Sequence, residues 1–411
     1  MYLTRISLTN FRLFARLDLE VPRRVILLVG SNAQGKTSLL EAIYFLAAFT
    51  SFQTHIDRQL VNAVAAREPL AVARLVAEYR RRDGAHRLEV RLILEPVGPL
   101  NGQRLRKEIL LDGVKRSVAE AIGHFNAVIF VPQMTQIIEG APEDRRRYLN
   151  LALAQTIPGY ASALTEYTQA LAQRNALLKT LNERGGDPTQ LDFWDEALVC
   201  PGAKLIRARI SAIQEIEALA RPIHYALTRG QEILRLSYQP AYDPARPNGQ
   251  IALRLETVVD RSGLSEEEIR NGFLEALGQA RSGEIARGVT TLGPHRDEVR
   301  FLANQIDLGD YGSRGQVRTA LLALKLAEVA WMQQKTGEWP VLLLDEVMAE
   351  LDRQRRADLL AYLETLEQAL LSTTDLSLFT QPFIEQTEIW HVQAGTVNLF
   401  EKGGKEYVRD S

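Results

Sequence analysis

Two short stretches of this 411-residue chain carry residues of the types and spacing that phosphate chemistry needs. The first is Gly30-Ser31-Asn32-Ala33-Gln34-Gly35-Lys36-Thr37, which satisfies G-x-x-x-x-G-K-[ST]. An apolar run from Val25 to Val29 precedes it, and an apolar segment from Ser38 to about Ala48 follows it. Strand, glycine-rich loop and helix in that order let successive backbone N–H groups wrap an anion, with the positive end of a helix dipole behind them. In such a loop Lys36 reaches the β- and γ-phosphates of ATP, and Thr37 offers its hydroxyl to Mg²⁺. The second stretch is Val341-Leu342-Leu343-Leu344-Asp345-Glu346. A buried strand ending in two carboxylates suits Asp345 to the outer shell of Mg²⁺ and Glu346 to orienting and deprotonating an attacking water. Lys36 and Glu346 are thus the expected catalytic residues, and Thr37 and Asp345 the expected metal-side residues.

A third stretch, Ser313-Arg314-Gly315-Gln316-Val317-Arg318, opens a long helical pattern. A hydroxyl, free backbone N–H groups and a helix dipole together favour an anion. Alone this is an ordinary helix cap. Its place, about thirty residues before Asp345, gives it meaning. ABC-type ATPases carry a related signature there, which contacts the nucleotide held by a second molecule. Glu350-Leu351-Asp352 is spaced after Glu346 like their D-loop.

These residues need elements to hold them. With 46% hydrophobic and 24% charged residues, the chain can bury a sizeable core. Leu3, Ile6, Leu8, Phe11 and Phe14 make a strand-like start. Two period-two runs flank Asp83-Gly84, and a second hairpin surrounds Asp112-Gly113. Glu95 to Gln103 and Tyr238 to Gly249 read as loops. Helical patterns run from Glu143 to about Glu183, Phe193 to Gly230 and Glu266 to Ala280, and strands return after Gly288. The expected fold class is α/β with an added antiparallel sheet. Its head is split into 1–135 and 289–411 by a mostly helical arm at 136–288.

The single cysteine, Cys200, fits a reducing compartment and a small apolar role in a helix contact. No signal peptide or membrane-spanning run is evident, so a soluble, cytoplasmic protein without a membrane partner is expected. A net charge of −2 does not suggest a non-specific DNA coater, although local patches could still bind phosphates. Arg80 to Arg82 and Arg145 to Arg147 are candidates for such contacts, or solvated faces. His295 and Arg296 read either as a structural turn or as a coupling element, and six scattered histidines argue against a metal site.

Several longer stretches carry a closer resemblance. They are Gly140-Ala141-Pro142-Glu143-Asp144-Arg145-Arg146-Arg147-Tyr148-Leu149, Gln173-Arg174-Asn175-Ala176-Leu177-Leu178-Lys179 and Gly293-Pro294-His295-Arg296-Asp297. With Asn10-Phe11-Arg12 and the motifs above, they occur from about Leu3 to Gly395 in the order of the RecF family of SMC-type ATPases, which the chain resembles. The resemblance implies an ABC-type P-loop ATPase head with ATP bound at Gly30 to Thr37 and at Arg12. It implies an ATP-dependent homodimer, in which Ser313, Gly315 and Gln316 act in trans and Asp352 serves the D-loop. It further implies slow, DNA-dependent hydrolysis used as a switch. The dimer would bind double-stranded DNA and single-strand/duplex junctions, and promote recombinase loading with RecR and RecO. Gln133, Asn150 and Val317 depart from residues usual in that family, and leave the phosphate and Mg²⁺ positions intact. Alternatives are an SMC-like structural or defence ATPase and a transporter ATPase subunit. A long heptad arm or an appended nuclease would favour the first, and a membrane partner the second.

Overall fold

The computed structural model describes residues 1–97, 102–245, 261, 263–400 and 406–407. Contacts divide the chain into two units, Met1–Met134 with Glu328–Ser411, and Thr135–Ala327.

The first unit is an α/β unit with two sheets. Val25–Val29, Ala369–Thr373, Val341–Asp345 and Ala127–Phe130 are short and almost wholly apolar. Runs of this kind form parallel strands buried on both faces. They lie side by side in that order, with Glu388–Gln393 parallel on the other flank of Val25–Val29 and an antiparallel edge beyond it. The second sheet has six antiparallel strands, in the order Phe14–Glu20, Tyr2–Phe11, Ala71–Arg81, Gly84–Val97, Gly102–Leu111 and Val114–Arg116. The helix Lys36–Ala48 touches strands of both sheets. It is apolar almost all round, as a helix with no solvent face must be.

The second unit packs the helices Pro142–Thr156, Tyr160–Arg184, Leu191–Leu227 and Glu266–Arg287 with a three-stranded sheet. In that sheet Glu298–Ala303 lies between Ile306–Asp307 and Leu234–Gln239. This pairing joins strands on either side of position 288. Residues from 289 to Ala327 group with the helical unit, and the division falls inside the helix Arg314–Thr336.

Two expected loops contain strand. Glu95, Pro96 and Val97 pair with Arg104, Gln103 and Gly102. Proline is tolerated there because the neighbouring strand ends its pairing at Leu94, leaving the Pro96 side of the strand without a ladder. Tyr238 pairs with Val299, and Leu234, Leu236 and Tyr238 alternate inward. Positions 98–101 and 246–249 of those two loops lie outside the described residues. Cys200 sits on the long helix, but on its exposed side, not in a helix contact. Among the described residues no helix is long and apolar enough to cross a membrane.

Polar residues of the stretches around Arg145, Arg174 and Pro294 form, with their partners, a buried ionic core of the helical unit. Arg209 binds Asp297 at 2.7 Å, Asn150 Oδ1 at 2.9 Å and the carbonyl of Pro294. The hydroxyl of Tyr238 donates to the same Asp297 at 2.6 Å. Arg174 donates to Asp195 at 2.6 Å, Glu284 at 2.7 Å and Thr290 Oγ1 at 2.8 Å. Two arginines proposed for DNA are also engaged internally. Arg145 forms a fork onto Glu298 at 2.6 and 2.8 Å, and Arg146 donates to the carbonyl of Asp297. In the α/β unit Arg81 pairs with Glu338 at 3.1 Å.

Candidate functional site

Val25–Val29 delivers the chain to Gly30 at the carboxyl edge of the parallel sheet, the edge where α/β folds bind ligands. The loop that follows is held from behind. A Cβ on Gly30 would stand 2.3 Å from the carbonyl oxygen of Val392, so only glycine fits. Gly35 has φ 116°, a left-handed conformation that glycine adopts without strain. Gln34 accepts from the backbone N–H of Ala394 at 2.8 Å, and its carbonyl accepts from that of Gly395 at 3.0 Å. The hairpin turn at Ala394 and Gly395 therefore clamps the loop. Ser31, Asn32 and Ala33 face outward, and no side chain caps the helix that starts at Lys36. The first amides of that helix are orphan donors suited to an anion.

Lys36 is 96% buried, with its Nζ 2.6 Å from the Gly30 carbonyl, 3.1 Å from that of Ser31 and 3.1 Å from Glu346 Oε1. Thr37 Oγ1 lies 3.0 and 2.9 Å from the two carboxylate oxygens of Asp345. Although 308 positions apart in sequence, these two residues meet because their strands share one sheet edge. A hydroxyl and a carboxylate converging in this way are hard oxygen donors, and they fit Mg²⁺.

Ser372 was missed in the sequence. Its strand, Ala369–Thr373, lies between the loop strand and the Asp345 strand, and registers Ser372 with both Leu28 and Asp345. Its hydroxyl donates to Asp345 Oδ1 at 2.6 Å and accepts from the Glu346 backbone N–H at 2.9 Å. One residue thus fixes both acidic positions. Glu346 itself has φ 53°, an uncommon value for a residue other than glycine. The signal was an apolar strand ending in hydroxyls, and beyond Ser372 it runs into Thr373 and Asp375. Those two bond to each other in a turn.

Arg12 forms a fork onto Glu41 of the loop helix, with both contacts at 2.7 Å. Glu41 is wholly buried and also accepts from Ser51. In this arrangement Arg12 neutralises a buried carboxylate and ties the Asn10 to Arg12 turn to the loop helix. Asp352 caps the helix Arg353–Leu363, accepting from the N–H groups of Gln354 and Arg355. Ser313, Gly315 and Gln316 lie in the helical unit, at the start of Arg314–Thr336. Ser313 and Gly315 are exposed. Gln316 Oε1 accepts from the Ser313 N–H at 2.9 Å, and Ser313 Oγ accepts from the Gln316 N–H at 3.3 Å. His295 is held in the arm, where Tyr167 donates to its Nδ1 at 2.7 Å and its Nε2 faces the Thr290 carbonyl at 3.1 Å. Arg296 is exposed.

Over almost its whole length the chain is similar to known proteins of one family. The model of the RecF/RecN/SMC N-terminal domain matches residues 2–397. The DNA replication and repair protein RecF of Chloroflexus aurantiacus is 39% identical over 97% of this chain and 99% of its own. The solved structure of the recombination mediator protein RecF with ATP, from the RecFOR pathway, is 30% identical. It covers 97% of this chain and 98% of that one, with a TM-score of 0.80. A solved Smc head bound to the C-winged helix domain of ScpA shares the fold, with a TM-score of 0.50 at 15% identity, covering 97% of this chain and 96% of its own. With a family model matched over almost its whole length and relatives of this identity covered nearly end to end, the chain belongs to the RecF/RecN/SMC N-terminal domain family.

Proposed function

We propose that this chain is an ATP-dependent DNA clamp of recombinational repair, acting as a slow ATPase switch. The observation that carries the reading is the convergence of Lys36, Thr37, Asp345 and Glu346 on one sheet edge. Lys36 and the loop amides would hold the β- and γ-phosphates. Thr37 and Asp345 would hold Mg²⁺, which supplies charge neutralisation at the phosphates when bound. Glu346 would orient and deprotonate the attacking water, after giving up its contact with Lys36.

Gly315 supports a composite site. A Cβ there would meet nothing within 4 Å, and its φ is not positive. Nothing among the described residues requires glycine at this position, whereas close approach of a second molecule's nucleotide would. Each of two sites would then take the loop from one chain and Ser313 and Gly315 from the other, in a two-fold dimer. Asp352, just past the short helix Val347–Glu350 that follows Glu346, would serve the same interface. The head would comprise 1–135 and the C-terminal part, with the arm between them. RecR, with RecO, would be the partners, as the pathway named for the solved relative suggests. The site of action would be the cytoplasm, on duplex DNA and single-strand/duplex junctions.

The test is a size measurement without nucleotide, with ATP, and with ATP and duplex DNA. A monomer should become a dimer with ATP, and the dimer should bind DNA with steep salt dependence. Lys36→Met should weaken ATP binding at least tenfold (about 1.4 kcal/mol) and abolish the dimer. Ser313→Arg should keep monomer ATP binding and lose the dimer. DNA binding of equal strength without nucleotide would contradict the clamp.

A further inference from the structure

The glutamine of the Ser313 turn has two faces. Its Oε1 accepts from the Ser313 N–H, so its Nε2 points away, and there it donates to Glu232 Oε1 at 2.7 Å. An amide side chain can rotate by half a turn at little steric cost, exchanging donor for acceptor. A carboxylate accepts only, so it permits one orientation. Glu232 is itself held firmly. Its N–H donates to Thr228 Oγ1 at 3.3 Å, and Oε2 lies 3.7 Å from Nε2 of His224, which is wholly buried on the long helix. The residues beside it are pinned by Asn304, which accepts from the Ile233 N–H and donates to the Gln231 carbonyl, both at 2.9 Å.

We infer that Glu232 is a positioning residue that locks the Gln316 amide and thereby aims the Ser313 hydroxyl outward as a donor. With Oε1 turned to the Ser313 N–H, the serine oxygen accepts from the Gln316 N–H. Its proton is then left to donate to an anion. If the amide turned over, Nε2 would oppose the Ser313 N–H and the turn would open. The hold also links this turn to the long arm helix through His224. The functional consequence rests on the composite-site reading above.

The experiment uses the full chain with Glu232→Ala, Glu232→Gln and Glu232→Lys. Three quantities are read: monomer affinity for ATP, dimer Kd at saturating ATP, and amide exchange at 313–317 without nucleotide. Glu232→Ala should leave monomer ATP affinity unchanged, speed exchange at 313–317, and weaken the dimer about tenfold, the weight of one hydrogen bond to a charged group. Glu232→Gln retains an acceptor and should restore most of the dimer. Glu232→Lys offers only donors and should do the most damage. If Glu232 acted only as a negative charge near phosphate, Glu232→Ala would tighten the dimer. That result, or unchanged exchange and dimerisation, would overturn the inference. If Glu232→Ala speeds exchange while neither it nor Ser313→Arg weakens the dimer, the hold on the turn stands and the composite site falls instead.

Discussion

Lys36 in the α/β unit and Arg209 in the helical unit are both almost fully buried cations, yet their surroundings differ in kind. Lys36 rests against two carbonyls of its own loop and against Glu346, which is 29% exposed. An ammonium on a flexible stem can trade such acceptors for others of similar distance without a fixed fork geometry. Arg209 is enclosed by Asp297, Asn150, the Pro294 carbonyl and Tyr160. Its planar guanidinium meets partners on two separate helices, Pro142–Thr156 and Tyr160–Arg184, and on the turn from Pro294 to Asp297, and of these only Asn150 is half-buried rather than buried. The comparison teaches that buried charge alone does not mark a site. Exchangeable partners at an open sheet edge do, whereas a closed set of partners marks a structural centre.

The sharpest way to break the comparison lies in the α/β unit. Glu346→Gln keeps size and hydrogen bonding but removes the basic carboxylate. General-base assistance contributes about 10²–10⁴-fold, so turnover should fall within that range while ATP binding survives. The dimer on DNA should also outlive that of the wild type. ATPase rate and DNA off-rate in one buffer decide this, and a normal rate would remove Glu346 from the chemistry.

The mirror experiment is Arg209→Ala. It strands Asp297 in the interior, and breaking such a pair typically costs about 3–5 kcal/mol. Denaturant unfolding should show a loss of that size, with calorimetric ATP affinity of the folded protein unchanged. A loss below about 1 kcal/mol, the scale of an exposed pair, would show that the arm's ionic core is as dispensable as a surface pair.

The smallest effect separates the two units by the sign of their pH dependence. Burial holds the His295 imidazole down at about 4, the Arg296 cation pushes the same way, and the Thr290 carbonyl opposes. The unfolded chain binds this proton first, so the stabilisation is complete above the ordinary value of about 6.5 and is lost as pH falls toward 4. His86 in the α/β unit is raised instead, chiefly by its hydrogen bond to Asp112 and then by Asp83. Its stabilisation is complete below about 6.5 and fades as pH rises past the raised value. That pair is at the surface, so its effect is small and salt-sensitive. Thermal melts between pH 4.5 and 8 should show His295→Gln flattening the acid limb and His86→Gln flattening the other. The same change in both variants would contradict the assignment.

Local spacing carried much of this protein in plain view. The loop from Gly30 to Thr37, the apolar strand ending in Asp345 and Glu346, and the hairpins at Asp83-Gly84 and Asp112-Gly113 are each written within a dozen residues. Backbone geometry and short-range burial determine them, so sequence suffices. The stretches around Arg145, Arg174 and Pro294 were legible as unusual, but not as one structure. Their meaning came from contacts across 85 to 153 positions, which engage Arg145, Arg174 and the Pro294 carbonyl in internal ion pairs and hydrogen bonds. Ser372 became a bridge between Asp345 and Glu346 only because its strand is inserted between two others, a fact of sheet order. Arg12 was tied to Glu41 by the packing of a hairpin turn on a helix. Residues from 289 to Ala327 group with the helices, in part because Leu234–Gln239 pairs with Glu298–Ala303. Each of these depends on which distant segments meet, and that is settled by burial and hydrogen-bond pairing summed over the whole chain, not by any local pattern.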